Sequence, residues 1–171
     1  MRWLLDGYNV IRRDPEMRSR EAERLEDGRT ALLHLVAAVA RRSGDDFTVV
    51  FDGARAGGGA PAGGQVQVIF SRPPQNADQV LIQLATRLRD AAIVVSSDRT
   101  VRDGARRAGA AVVTADEFLD AAATTEPDAQ AQKELEEDDD DDGPSVKRGN
   151  PYRLSRQARA TRRALARLRA R

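Results

Sequence analysis

Phe47-Thr48-Val49-Val50-Phe51 is a short, β-rich apolar run that stops on Asp52-Gly53. Nearly apolar throughout, it reads as a strand covered on both faces, as in parallel sheets. The pattern recurs on either side. Trp3–Leu5 is an apolar strand ending on Asp6, Val66–Phe70 is a third run, Ile93–Val95 ends on Ser96-Ser97-Asp98, and Ala111–Val113 is the last. Helical periods separate them. Glu21–Arg42 places Leu25, Leu32, Leu33, Leu35, Val36 and Val39 on one face, with His34 on that apolar side, and Gly28 predicts a late start or a kink. Ala77–Arg89, Asp98–Ala108 (stopped by Gly109) and a short segment from Asp116 to Ala122 are the other helices. Strands alternating with helices predict a three-layer α/β/α domain with a mainly parallel central sheet and right-handed crossovers over residues 1–122.

Charge marks the rest of the chain. The 171 residues carry 28 basic and 27 acidic side chains, but the balance hides blocks. Residues 134–142, ELEEDDDDD, contribute eight acids and no base, whereas residues 143–171 contribute ten bases and no acid. With no convincing apolar period, residues 123–151 read as a disordered acidic linker. Residues 152–171 read as an Arg-rich helix with Leu154, Leu165 and Leu168 sparsely placed. Its Arg153, Arg156, Arg159, Arg162, Arg163 and Arg167 occupy more than one helix face, which suits wrapping a polyanion or folding against the acidic run.

Composition narrows the chemistry. Without cysteine there are no thiolate metal sites or cysteine nucleophiles, and the single histidine, His34, excludes two-histidine motifs. Acid–base or metal chemistry must therefore come from carboxylates. Asp6 precedes any signal-type apolar stretch and no apolar run approaches a membrane span of ~20 residues, so the expectation is a cytoplasmic chain with no membrane partner.

Open parallel sheets bind ligands outside the carboxyl ends of their strands. Asp6, Asp52 and Asp98 follow three strands there, and Asp78 opens a helix after the Pro73-Pro74 turn, so the four can converge. Each has a plainer role when taken alone. Asp78 and Asp98 suit helix N-caps, and Asp6-Gly7 and Asp52-Gly53 suit turns. Together they form an oxygen-only cluster whose mutual repulsion calls for a cation, and such a set suits one or two Mg²⁺ or Mn²⁺ ions. Asn9 can orient a carboxylate or a bound water.

Leu4-Leu5-Asp6-Gly7-Tyr8-Asn9, Val49-Val50-Phe51-Asp52, Asn76-Ala77-Asp78-Gln79 and Ser97-Asp98, in that order and spacing, resemble the YacP-like branch of the NYN-domain proteins over roughly residues 2–120. The resemblance implies a PIN-like nuclease fold and a metal-dependent endoribonuclease. Asp6, Asp52, Asp78 and Asp98 would then be the metal-binding or catalytic carboxylates, with Asn9 in the same site. It further implies mRNA as substrate and the ribosome as a partner. Where the family often has an acid after the third aspartate, this chain has Gln79.

Other features are weighed beside that reading. Gly53–Gly64 is glycine-rich but lacks a P-loop's Gly-Lys-Ser/Thr end and leads into a strand, so it reads as a rim loop, and no organic cofactor is expected. Arg55, Arg72, Arg99 and Arg102 are placed to bind RNA phosphates, although solvated surface arginines are the default. Tyr8 can stack near the site or fill the core beneath it. Two further functions compete with the endoribonuclease. A non-catalytic RNA-binding protein retaining the nuclease fold is favoured by Gln79 and the basic tail. A phosphatase or phospho-acceptor domain ranks last, because no Asp-x-Asp pair follows the first strand and no lysine lies in the α/β domain.

Overall fold

The computed structural model describes residues 1–53, 64–124 and 155–169. Arg55, Arg153, the acidic run 134–142 and most of the expected linker and glycine-rich loop lie outside the described residues. The chain forms β1 (Arg2–Asp6), α1 (Gly7–Arg13), α2 (Pro15–Glu23), α3 (Leu25–Ser43), β2 (Asp46–Phe51), β3 (Val66–Phe70), α4 (Ala77–Leu88), β4 (Ala92–Val95), α5 (Arg99–Arg107), β5 (Ala111–Val113), α6 (Ala115–Ala123) and α7 (Arg156–Arg169). The five strands make one parallel sheet in the order β3-β2-β1-β4-β5.

Strand periodicity sorts the core into two layers. Trp3, Leu5, Phe47, Val49, Phe51, Ile93 and Val95 face α1–α3, α6 and α7. Leu4, Val50 and Val94 face α4 and α5. Helices therefore cover both faces of the sheet, as the apolar runs require. The winding changes side between β1 and β4, and this switch opens a crevice at the carboxyl ends of those strands. No helix among the described residues is long and apolar enough to cross a membrane.

The observed helices differ from the sequence reading in several places, beginning with α1 and the part of α2 before Glu21, where no helix was expected. Asp6 does not make an Asp-Gly turn: its carboxylate accepts from the Asn9 N–H and caps α1. The single helix expected from Glu21 is two, α2 and α3, because Arg24 is extended between them. Gly28 neither delays nor kinks α3; a Cβ there would come 2.8 Å from the Glu21 Cβ, so the glycine lets α2 and α3 pack closely. His34 is exposed, not on the apolar side.

The Arg-rich helix also differs from its expectation. α7 packs on the domain, with Ala164 and Leu168 wholly buried in the larger core layer. The Thr161 hydroxyl donates to the Val112 carbonyl, and Arg42 bonds the carbonyls of Leu168 and Ala122. Both ends of α7 are anchored at the amino-terminal rim of the sheet. Arg156 pairs with Asp90 just before β4, and Arg167 pairs with Asp45 just before β2.

Candidate functional site

β1 ends on Asp6, and α1 begins at once. That tight junction needs Gly7, since a Cβ there would come 2.3 Å from the Phe51 ring. Asp6 is only 9% exposed; one carboxylate oxygen accepts from the Asn9 N–H (3.2 Å) and the other from the Ser96 hydroxyl (3.1 Å). The Asn9 side-chain oxygen accepts from the Ser97 N–H at 2.7 Å, joining α1 to the turn after β4. That leaves the NH₂ end of Asn9 for anything bound nearby.

Asp52 follows β2, and its Oδ1 accepts from the Ser71 hydroxyl (2.5 Å) and the Ala77 N–H (3.3 Å). Gly53, at φ 94°, supplies the left-handed turn after it, so the turn reading of Asp52-Gly53 holds together with its place in the cleft. Asp98 caps α5 through Oδ1, which accepts from the Thr100 and Val101 N–H groups at 2.7 and 3.3 Å. Asp78 is not the α4 cap. Asn76 is, and Gln79 completes a reciprocal capping box with it. Gln79 thus has a structural task that fixes the first turn of α4 and the position of Asp78.

The four aspartates line one cleft of about 220 Å³, together with Tyr8, Asn9, Arg12, Asn76 and Ala77. The carboxyl of Asp6 is held above its ordinary value by burial, partly offset by its two hydrogen bonds, with Asp78 and Asp98 adding like-charge repulsion. Asp78 is raised by burial and by the charges of Asp98 and Asp52. The four acids therefore share one field, as their sequence pattern suggests.

The donor chemistry of this cluster fits a hard divalent cation. Asp52 and Asp98 take their protein hydrogen bonds on Oδ1, and no protein donor reaches their Oδ2 atoms or the Asp78 carboxylate among the described residues. Among those residues no group of three acids or histidines is gathered closely enough to hold a metal ion as it stands. An ion would have to draw these side chains together.

The predicted arginines do not gather at the cleft. Arg72 is exposed after β3, Arg99 pairs with Asp103 with its side chain 94% exposed, and Arg102 is half-buried on α5. Arg156, Arg159, Arg162 and Arg163 belong to α7, whose ends are fixed at the opposite rim.

Among the described residues the cation that does line the cleft is Arg12, which the sequence reading passed over. It lies one helical turn after Tyr8 with its guanidinium 5.8 Å from that ring's centre, and the i, i+4 spacing from Tyr8 was the available signal. Tyr8 is held in turn by Arg29. This arginine is 7% exposed, bonds the Tyr8 hydroxyl through Nε (2.8 Å) and Nη2, and lies 5.2–5.5 Å from the Tyr8, Phe51 and Phe70 ring centres. Three aromatic faces stabilise its buried charge. Ser71 and Ser96, which orient Asp52 and Asp6, were also unforeseen; each directly follows an apolar strand.

A doubly wound parallel sheet places four carboxylates at its switch point, and the family profile that matches this chain makes it a protein of the nuclease-fold class. The chain belongs to the YacP-like NYN domain family, whose profile matches residues 3–163. It is similar to the YacP protein of Bacillus subtilis (strain 168), with 31% identity over 102 residues, a stretch covering 57% of this chain and 60% of that protein. The crystal structure of Rae1 (YacP) from the same organism, as a tryptophan-to-leucine mutant, superposes with a TM-score of 0.62 at 26% identity, covering 83% of this chain and 86% of that one. A second Rae1 (YacP) crystal structure gives 0.60 at 26% identity, covering 82% and 80%.

Proposed function

We propose that this protein is a metal-dependent endoribonuclease that hydrolyses RNA phosphodiesters, with mRNA at the ribosome as the substrate suggested by the family resemblance. The observation that carries this reading is the convergence of Asp6, Asp52, Asp78 and Asp98 on one cleft with two carboxyls raised by burial and mutual charge. Acids in a cleft that are perturbed by burial and by one another's charge are functional-site candidates. Mg²⁺ or Mn²⁺ held by these four aspartates would supply charge compensation and an acidified water for attack on phosphorus.

The chain's own groups do the positioning. Asp52 and Asp98 are fixed through one oxygen and present the other. Arg12, as the base lining an otherwise acidic cleft, binds a non-bridging oxygen of the scissile phosphate. Tyr8 supports Arg12 and is itself clamped by Arg29. The NH₂ of Asn9 donates to a phosphate oxygen or to the attacking water.

The test is RNA-end mapping in a translating extract with Mg²⁺, comparing the intact protein with Asp6→Asn. New ends formed only by the intact protein are expected, and identical end maps would sink the reading. A second reading, an RNA-binding protein without cleavage, is favoured by Gln79, which serves the α4 capping box where the family often has an acid. Its signature is RNA binding that persists in chelator together with no cleavage under any divalent ion.

A further inference from the structure

At the end of the molecule away from the acids, a groove of about 990 Å³ runs between the C-terminal ends of α4 and α5 and the start of α7. Arg89, Arg107 and Arg156 line it against one acid, Asp90. Arg156 pairs with Asp90 at 3.0 Å, and neither Arg89 nor Arg107 has an ion-pair partner among the described residues.

Two of these arginines sit where the backbone disfavours them. Arg89 adopts φ 50°, ψ −122°, a conformation that suits glycine, and it is the one non-glycine residue with positive φ among the described residues. Holding a side-chain-bearing residue there costs on the order of 1–3 kcal/mol. Arg156 opens α7, whose first turn contains no acid, although the positive end of a helix dipole favours carboxylates. Local choices that oppose the backbone occur where function overrides stability. Both departures bring positive charge to the same groove.

We propose that this groove is a second RNA site, separate from the carboxylate cleft, that binds the phosphate backbone of single-stranded RNA through Arg89, Arg107 and Arg156. Guanidinium forks suit phosphate oxygens, and Arg89 and Arg107 have no ion-pair partner among the described residues. The site rests on the reading that RNA is what this family member handles, but not on cleavage.

The experiment measures anisotropy of a fluorescein-labelled, 16-nucleotide single-stranded RNA of mixed sequence with the full chain, from 50 to 200 mM NaCl in EDTA. Under those conditions no divalent ion offsets the charge of the acid cleft, and cleavage is not read. The double variant Arg89→Gly/Arg107→Ala keeps the fold, since glycine relaxes the positive φ and Arg107 is exposed in the last turn of α5. It is expected to bind about 10-fold more weakly at 100 mM salt. Its slope of log K against log salt should be shallower by about 1.4, the value for two lost phosphate contacts on a single strand. The control Arg18→Ala/Arg24→Ala removes the same charge from exposed positions on and beside α2, and should change neither quantity.

Wild-type affinity and slope in the groove variant, an equal loss in the control, or no RNA binding by the intact protein would each overturn the proposal. Failure of the endoribonuclease reading would appear separately, as RNA ends that do not depend on Asp6.

Discussion

Asp45 and Asp6 stand at opposite ends of the same sheet, one just before β2 and the other on the last residue of β1. Both are shielded from water, yet their surroundings differ. The Asp45 carboxylate is wholly buried and receives the N-terminal ammonium at 2.7 Å, Arg167 at 3.0 Å and the Trp3 indole N–H at 3.1 Å. Asp6 receives two neutral donors and faces the charges of Asp78 and Asp98. Basic residues are not scarce, since the chain has 28, yet among the described residues Arg12 alone lines the cleft with the four acids, so the thin compensation there is a matter of placement. One rim spends its acid on joining the N-terminus to α7, and the other keeps four acids in a state that invites a cation. Electrostatic dissatisfaction, more than acid content, distinguishes the candidate site.

The largest expected effect tests whether charge at the acidic rim is functional. Asp98→Asn preserves the cap of α5, because asparagine accepts the same backbone N–H bonds. It should lower cleavage about 10²–10³-fold in single-turnover assays with little change in Tm, as for loss of one electrostatic contact to the transition state. Activity within a few-fold of wild type would mean that Asp98 is only a cap, and the contrast between the rims would narrow.

Asp45→Ala probes the other rim. It leaves the buried Trp3 N–H without an acceptor and releases two cations that are partly exposed, so the loss should be about 2–3 kcal/mol in urea unfolding. Cleavage measured well below the midpoint should stay unchanged. A parallel fall in activity would show that the two rims are coupled through the sheet.

Arg12→Ala is a smaller perturbation. It removes the base lining the cleft from an exposed position, so the fold should be retained. KM for RNA should rise about 5–10-fold, with partial rescue in Arg12→Lys. A change confined to Tm would make Arg12 a prop for Tyr8 only.

How far these rims were legible follows from what each is made of. The strands and the four aspartates declared themselves, because a buried parallel strand must be an apolar run and its ligand-facing end follows directly. Asp14-Pro15 went unread as a helix start, although the Asp14 carboxylate accepts from the Met17 N–H and the proline takes the first position, because the helix it begins has little apolar period. The docking of α7 was hidden because Ala164 and Leu168 alone are fully buried there, too few to stand out among arginines. Arg12 and Arg29 were hidden by their abundance: nothing in an Arg-rich sequence marks the guanidinium that folding buries among three rings. Pairings such as Asp45–Arg167 are set by tertiary geometry across 122 residues of sequence.

The finest test asks which force governs Asp78. As the second residue of α4 it should be favoured in its charged form by the helix dipole, yet its pKa is raised, so burial and the neighbouring charges of Asp98 and Asp52 outweigh the dipole. With the folded value above the ordinary 3.8, the folded state keeps its proton to higher pH than the unfolded chain. Stability must then fall as pH rises from the unfolded value through the folded one, and remain lower above it. Asp78→Asn removes that penalty. Its Tm should exceed wild type by roughly 1–3 °C at pH 7.5, a small shift because the side chain is partly solvated, and the difference should vanish in acid, where the wild-type carboxyl is already neutral. Adding Mn²⁺ at pH 7.5 should reverse the order, because an ion that binds only the folded acid cluster stabilises wild type and bypasses the variant. Equal Tm values at both pH values would show the dipole balancing the repulsion; a Tm gain that survives in acid would locate the effect in packing, outside the shared field of the cleft.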